Sequence, residues 1–207
     1  MNWSDNFSPV AILRGITPEE MEGHLVALLE SGFNAIEIPT NSPRWQESVK
    51  HAVAAYGERA LIGAGTVLLA DQVDELAALG GKLVVTPNVS PAVIERAVQH
   101  DMLVCAGFAT ASEAFTALEA GAQALKLFPA SVFGPDYLRA LKAVLPSHIP
   151  LLAVGGITPD NFACWLEAGC CNAGLGSDLY RPGQTVERTL LQAQAFMAVY
   201  RQFRHEH

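Results

Sequence analysis

Short apolar runs alternate along the chain with longer amphipathic stretches, and this alternation predicts βα units built on a parallel sheet. We predict a strand at each of eight runs, which cover residues 10–13, 35–38, 61–64, 83–86, 103–106, 124–127, 151–154 and 173–175. The runs begin 20 to 27 residues apart, and a chain of 207 residues offers about 26 residues to each of eight units. The spacing therefore predicts the α/β fold class, with residues 1–207 forming a single (β/α)8 TIM-barrel domain.

Turn-forming residues stand between the runs where helices should begin and end. A Ser or Thr N-cap followed by Pro predicts helix starts at Thr17-Pro18, Ser42-Pro43, Ser90-Pro91 and Thr158-Pro159. Glycines suited to a left-handed C-cap predict helix ends at Gly32, Gly57, Gly80, Gly121 and Gly169. The alternative architecture is a doubly wound open sheet, which often carries a G-x-G-x-x-G motif. That motif lacks its third glycine at both candidate positions, Gly63-Ala64-Gly65 and Gly174-Leu175-Gly176.

The composition excludes several classes of function. A hydrophobic content of 50% with 16% charged residues excludes a disordered chain, and no apolar run approaches the roughly 20 residues that span a bilayer. A net charge of -8 with 13 scattered Lys and Arg residues offers no surface for a nucleic acid. Residues 1–9 lack the pattern of a signal peptide, so we expect a cytoplasmic protein without membrane partners. The cysteines form no C-x-x-C pair and the histidines no H-E-x-x-H motif, which disfavours a metal-dependent mechanism.

Lys126 is an unusual residue at the end of a barrel strand, where TIM barrels place their functional groups. It stands within the apolar segment 124–129, and burial there would lower the pKa of its amine and free it to attack a carbonyl. The other lysines, Lys50, Lys82 and Lys142, lie on predicted helices or at the opposite end of the barrel. We therefore favour a Schiff-base lysine over an outward-facing lysine or a core lysine paired with a carboxylate.

Glu37 is the carboxylate that strand alternation places opposite Ile36 and Ile38. If the isoleucines face the helices, Glu37 faces the barrel interior and can exchange protons with a substrate bound to Lys126. A structural salt bridge from Glu37 to Lys126 or Arg14 is the alternative interpretation, and the two can coexist.

Two glycine turns follow the last two strands, where TIM barrels commonly bind phosphate through main-chain amides. They contain Gly155-Gly156 and, in the segment 174–177, Gly176-Ser177. Arg14 can pair with a carboxylate and Thr66 can donate a hydroxyl hydrogen, so we expect a substrate with an acid at one end and a phosphate at the other. The alternatives are glycines that only end strands and an arginine in a rim salt bridge.

Seven strand-end segments together resemble a known family, the class I aldolases that cleave 2-keto-3-deoxy-6-phospho sugar acids (KDPG/KHG aldolases). These segments are 11–18, 37–39, 62–67, 85–88, 125–130, 154–159 and 174–177. The resemblance implies that Lys126 forms the Schiff base, that Glu37 is the acid/base, and that Arg14 and Thr66 hold the pyruvate carboxylate. It implies a pyruvate pocket lined by Pro87 and Phe128, and a phosphate site made by Gly155, Gly156, Gly176 and Ser177. It also implies a homotrimer and a reaction without a cofactor.

At two positions the chain differs from one branch of this family, and the differences indicate which branch it resembles. The branch that acts on the gluconate-derived substrate usually has Arg at the position of Asn41 and Thr at the position of Val154. Segments 37–45 and 176–181 resemble instead the branch that cleaves 2-dehydro-3-deoxy-6-phospho-D-galactonate to pyruvate and D-glyceraldehyde 3-phosphate. We therefore expect the galactonate-derived substrate, with the gluconate-derived epimer as the alternative.

Two other classes of function use a similar barrel. A phosphosugar isomerase or epimerase would use Glu37 to move a proton and Lys126 only as a charge, and fold alone does not separate it from an aldolase. A non-catalytic phosphosugar-binding protein would need the glycine turns but no buried amine beside a carboxylate, so the presence of Lys126 and Glu37 disfavours it.

Overall fold

Eight parallel strands close into one barrel in chain order, as shown by a computed structural model that describes residues 7–206. The strands are β1 (Val10–Ile12), β2 (Ala35–Pro39), β3 (Leu61–Gly65), β4 (Leu83–Val85), β5 (Leu103–Phe108), β6 (Ala124–Leu127), β7 (Leu151–Val154) and β8 (Asn172–Leu175). Every predicted strand is present, with bounds shifted by at most two residues, and the (β/α)8 TIM barrel is confirmed. The signal-peptide prediction depends mostly on residues 1–6, which lie outside the described residues.

A helix follows each strand in the described part of the chain. The helices are α1 (Pro18–Ser31), α2 (Trp45–Tyr56), α3 (Ala70–Ala78), α4 (Pro91–Gln99), α5 (Ala111–Glu119), α6 (Ala130–Lys142), α7 (Pro159–Glu167) and α8 (Val186–Glu206). Between residues 7 and 206, no helix is both long and apolar enough to cross a membrane.

Three of the four predicted helix starts are found, with Thr17, Ser90 and Thr158 as N-cap residues. The prediction at Ser42-Pro43 is wrong, because α2 begins later, at Trp45. The Ser42 hydroxyl accepts a hydrogen bond from the main-chain N–H of Gly15 (2.9 Å) and so holds the end of β1 instead of capping α2.

Four of the five predicted helix-end glycines adopt positive φ: Gly32, Gly80, Gly121 and Gly169. The prediction of a left-handed C-cap at Gly57 is wrong, because its φ is −61°. Its main-chain N–H donates to the Val53 carbonyl (2.9 Å), which continues the right-handed helical pattern beyond Tyr56.

The strands separate two groups of buried side chains. Outward-facing residues pack beneath the helices, whereas inward-facing ones fill the barrel interior with Val10, Ala35, Leu83, Val85, Cys105, Ala124 and Leu152. Because side chains alternate along a strand, a polar residue between two outward-facing residues must share this apolar interior. Glu37 and Lys126 are such residues.

Candidate active site

Glu37 in the middle of β2 and Lys126 in the second half of β6 both lie inside the barrel. Their neighbours on the strands, Ile36, Ile38, Leu125 and Leu127, all belong to the outer core beneath the helices. Glu37 is 1% exposed and Lys126 is 6% exposed, while the other three lysines in the chain are all exposed. Strand alternation therefore buries one amine and one carboxyl group in the same interior space, which both residues line.

The Glu37 carboxyl group lies directly against the main chain of Gly65 at the end of β3. A Cβ atom at position 65 would overlap the carboxyl atoms, so only glycine leaves space for this side chain. Burial raises the pKa of Glu37 to about 7, against the opposing influence of Lys126 and Arg14. Its Oε2 atom is buried without a hydrogen-bond partner. The carboxyl group is thus poised to exchange a proton near neutral pH.

Lys126 is surrounded by apolar groups and one aromatic ring. Burial lowers the pKa of its amine, and the Coulomb interaction with Glu37 opposes this shift. Its Nζ atom lies 5.0 Å from the centre of the Phe128 ring. Gly107 is the residue of β5 paired with Lys126, and the main chain of Pro87 packs directly against it. Phe128 is therefore near the amine, whereas Pro87 packs against Gly107 of the neighbouring strand β5.

Arg14 and Thr66 meet at the rim of the barrel, at the ends of β1 and β3. Arg14 Nη1 donates hydrogen bonds to Asn41 Oδ1 (2.7 Å) and to Thr66 Oγ1 (3.2 Å). Thr66 adopts φ 54°, a left-handed conformation that is unusual for a β-branched residue. The Thr40 hydroxyl donates to the Thr66 carbonyl (2.7 Å) and holds that conformation. The contact with Asn41 was not expected from the sequence.

A cavity of about 340 Å³ opens over the ends of β7 and β8. Both glycine turns line it: Gly155 at φ 101° and Gly156 at φ 73° after β7, and Gly176 with Ser177 after β8. Three residues line both this cavity and the interior space beside Glu37 and Lys126, namely Ile12, Val154 and Gly174. The cavity and the buried pair are therefore neighbours.

Sequence reasoning missed part of the cavity wall. Tyr180, Arg181 and Pro182, from the loop between β8 and α8, line the cavity together with Asp178. The available signal was the short distance along the chain from Ser177 to Arg181, which lets one loop present both side chains. A buried amine, a buried carboxyl group and an adjacent cavity lined by two glycine turns can together support imine chemistry on an anionic substrate.

Comparisons with known proteins agree with this geometry. The family model for KDPG and KHG aldolase matches residues 8–199. The chain is 61% identical, over 98% of each chain, to 2-dehydro-3-deoxy-6-phosphogalactonate aldolase of Escherichia coli (strain K12). The solved structure of native KDPGal covers 99% of this chain and 100% of its own, at 60% identity and a TM-score of 0.97.

A second solved structure bears on assembly. It is a cube-shaped, highly porous protein cage designed by fusing symmetric oligomeric domains, and it matches 96% of this chain and 74% of its own at 61% identity and a TM-score of 0.95. The family model, the sequence relative and the solved structure all match the same family. The chain therefore belongs to the KDPG and KHG aldolase family of carbon–carbon lyases.

Proposed function

We propose that this protein cleaves 2-dehydro-3-deoxy-6-phospho-D-galactonate to pyruvate and D-glyceraldehyde 3-phosphate through a Schiff base on Lys126. The observation that carries the proposal is the burial of the Lys126 amine beside Glu37, next to a cavity that ends in two glycine turns. The 61% identity to a 2-dehydro-3-deoxy-6-phosphogalactonate aldolase supports the choice of sugar acid.

The reaction begins with an attack of the neutral Lys126 amine on the C2 ketone. Burial lowers the pKa of this amine, so a larger fraction is unprotonated and nucleophilic at neutral pH. Protonated Glu37 then gives its proton to the carbinolamine hydroxyl, which leaves as water and yields a protonated imine. This imine withdraws electrons from the C3–C4 bond and prepares it for cleavage.

Glu37 carries protons in the following steps. Its ionised carboxylate accepts the C4 hydroxyl proton, directly or through water, as the C3–C4 electron pair moves into the imine and forms an enamine. The C4–O group leaves as the aldehyde of glyceraldehyde 3-phosphate. The enamine then takes a proton at C3, and water hydrolyses the new imine to release pyruvate and restore the Lys126 amine. A pKa of about 7 suits Glu37 to both directions of proton transfer.

The two ends of the substrate are held by different groups. Arg14 and Thr66, which are hydrogen-bonded to each other, bind the carboxylate at the rim. The amides of Gly155, Gly156 and Gly176, with the Ser177 hydroxyl, bind the phosphate across the cavity. Phe128 and Pro87 line the pocket of the pyruvate moiety.

The decisive experiment traps the imine. Incubation with pyruvate and borohydride is expected to add one reduced adduct, which peptide mass mapping locates on Lys126. Lys126→Arg keeps the charge but lacks a nucleophilic amine at working pH, so it should abolish cleavage, whereas Lys50→Arg should not. Activity should persist in EDTA. The class I mechanism is contradicted if no adduct forms, or if the adduct is on Lys50, Lys82 or Lys142. Proton transfer to or from a phosphosugar without an adduct would indicate an isomerase or epimerase.

The preferred epimer is tested at Val154, which lines both the cavity and the interior. Valine cannot form a hydrogen bond with the C4 hydroxyl as threonine can, so the wild type should have the higher kcat/KM on the galacto substrate. Val154→Thr should shift the ratio toward the gluco epimer by about 5-fold, which corresponds to one hydrogen bond of about 1 kcal/mol. A wild type that prefers the gluco substrate contradicts the choice of sugar acid.

We also infer a cytoplasmic homotrimer that acts in galactonate catabolism. The trimer is supported by the family resemblance and by the designed cage, whose matching chain is built from symmetric oligomeric domains. Galactonate catabolism follows from the proposed substrate, since its cleavage yields pyruvate and a phosphorylated triose.

A further inference from the structure

Arg181 is a cationic residue of the cavity that the proposed mechanism does not use. Its Nε atom donates a hydrogen bond to the main-chain carbonyl of Ser177 (2.7 Å), which holds the guanidinium group beside the second glycine turn. Within residues 7–206, no carboxylate forms a salt bridge with it. Its two terminal nitrogens therefore remain to bind a ligand.

The charged residues in the cavity wall indicate which group can neutralise a phosphate bound at the glycine turns. Among residues 7–206, Arg14 and Arg181 are the only Lys or Arg residues in its wall. The Arg14 guanidinium is already hydrogen-bonded to Asn41 and Thr66 at the rim. Asp178 adds a negative charge to the wall beside Ser177. A dianionic group bound at the glycine turns would thus face main-chain dipoles and one carboxylate, and Arg181 is the nearby group that can supply a full positive charge.

Three side chains behind the wall fix the loop that carries Arg181. The Arg181 main-chain N–H donates to Gln184 Oε1 (3.2 Å), which sets the orientation of the Gln184 amide. Gln184 Nε2 then donates to the Leu179 carbonyl (2.8 Å) and to Thr189 Oγ1 (2.6 Å). Thr189 in turn is hydrogen-bonded to His24 Nδ1 (2.8 Å) on α1. The chain of contacts ties the loop to both α1 and α8.

Tyr180 provides an independent observation at the same place. It lines the cavity, is 2% exposed, and its hydroxyl group has no hydrogen-bond partner. Its ring packs edge-on against His24, with ring centres 5.0 Å apart. A buried hydroxyl without a partner costs free energy unless a ligand satisfies it. The cavity wall therefore contains an unpaired cation, and the residue before it in the chain has a buried hydroxyl group without a partner.

We propose that Arg181 is a further substrate-binding residue, which holds the terminal phosphate against the second glycine turn, and that Gln184 is a positioning residue for it. This inference rests on the proposed function for the identity of the substrate. In this proposal, the loop after β8 supplies the positive charge that binds the phosphate, and the glycine turns form the space that holds it.

The test compares two aldehydes in the condensation direction. Pyruvate is combined with glyceraldehyde 3-phosphate or with glyceraldehyde, and the ratio of the two kcat/KM values measures the use of the phosphate. Arg181→Gln should lower this ratio about 10- to 100-fold, the scale expected for a charge-assisted hydrogen bond. The matched control is Arg188→Gln, an exposed arginine on α8 outside the cavity, which should leave the ratio unchanged. An unchanged ratio in Arg181→Gln overturns the proposal.

Direct binding separates this inference from the proposed function. Titration calorimetry with glycerol 3-phosphate should show weaker binding to Arg181→Gln than to the wild type and to Arg188→Gln. If the wild type fails to condense either aldehyde but binding still depends on Arg181, the proposed function fails and the inference about Arg181 stands. If binding is equal in the three proteins, Arg181 is not a ligand, whatever the activity.

The positioning role has its own readout. Gln184→Leu removes the amide that joins Arg181 to Thr189 and should raise the KM for glyceraldehyde 3-phosphate more than it lowers kcat. Gln184→Glu can still accept from the Arg181 N–H but cannot donate to Thr189, so it should show a similar selective effect. A merely structural role predicts instead an equal loss with both aldehydes, and that result overturns the assignment of Gln184.

Discussion

The central residue-scale feature is a carboxyl group whose burial is imposed by its neighbours. Glu37 is held in the interior because Ile36 and Ile38 must face the helices, and it fits there because Gly65 has no side chain. The cost of removing the charge from water appears as a pKa raised to about 7. The same packing that buries Glu37 thus adjusts its proton affinity to neutral pH.

A pH profile tests this link between burial and chemistry. Because Glu37 accepts a proton as the ionised carboxylate, kcat/KM should rise with pH through about 7, where Glu37 ionises. Glu37→Gln preserves the shape but cannot exchange protons, so cleavage should slow by at least about 100-fold and the rise that Glu37 causes should vanish. The Lys126 adduct should still form slowly. Near-normal turnover by the variant would show that Glu37 is structural and that another group carries the proton.

At the scale of elements, the segment that follows β2 joins the ends of three strands. Thr40 donates to the Thr66 carbonyl after β3, Asn41 accepts from Arg14 after β1, and Ser42 accepts from the N–H of Gly15. Three consecutive side chains therefore hold the two residues proposed to bind the carboxylate. This use of Ser42 also explains why α2 begins three residues after it.

We expect Asn41→Ala to weaken carboxylate binding without removing the chemistry. The loss of one hydrogen bond to a charged group should raise the KM for pyruvate in the condensation assay by about 10-fold, with a smaller change in kcat. The matched control is Gln46→Ala, because the Gln46 side chain donates a hydrogen bond to Glu75 (3.1 Å) and not to Arg14. An unchanged KM in Asn41→Ala would mean that Thr66 alone positions Arg14.

The packing of α1 against α8 contains a buried histidine, whose titration should affect stability. Burial lowers the pKa of His24 below its ordinary value of about 6.5, and Glu20 opposes this shift. The folded state therefore binds fewer protons than the unfolded state as the pH falls below about 6.5, and folding free energy is lost there. The slope for one proton is at most about 1.4 kcal/mol per pH unit.

Thermal unfolding at pH 7 and pH 5 measures this effect. The decrease in Tm between the two pH values should be smaller in His24→Gln than in the wild type, because glutamine does not titrate. His148→Gln is the matched control, since the His148 side chain is exposed and this variant should leave the decrease unchanged. Equal decreases in all three proteins would mean that His24 is not responsible.

At the scale of the whole molecule, the surface carries large apolar side chains that the barrel itself does not bury. Leu69 is 60% exposed, Val132 74% and Leu191 66%. Where such side chains form a contiguous patch, the patch marks an interface with another chain.

The proposed trimer predicts a molar mass about three times the 22.1 kDa of one chain. Light scattering after size-exclusion chromatography measures it directly. Substituting Val132→Glu or Leu191→Glu should reduce the mass if the side chain lies in the interface, because a buried unpaired charge is costly. A wild-type mass of one chain at micromolar concentration would contradict the trimer.

The sequence alone determined the architecture and the two central groups. Eight apolar runs at regular spacing define the strands, and alternation puts Glu37 on the face opposite Ile36 and Ile38. The structure then shows that Glu37 and Lys126 both face the barrel interior. The two sequence-based conclusions rest on periodicities of two residues and of one βα unit, which are local properties of the chain. Errors arose where a local signal was overridden, as at Ser42, whose hydroxyl is used by a distant N–H.

Only the tertiary structure decided which strand ends meet and at what distance. The contacts from Arg14 to Asn41 and Thr66 join residues 27 and 52 positions apart, and the contact from His24 to Thr189 joins residues 165 apart. Two further features also depend on which residues the fold brings together. They are the space that Gly65 leaves for Glu37 and the place of Arg181 in the cavity wall. Residue spacing contains no information on such distances, because they follow from the closure of the barrel and from the packing of side chains across it.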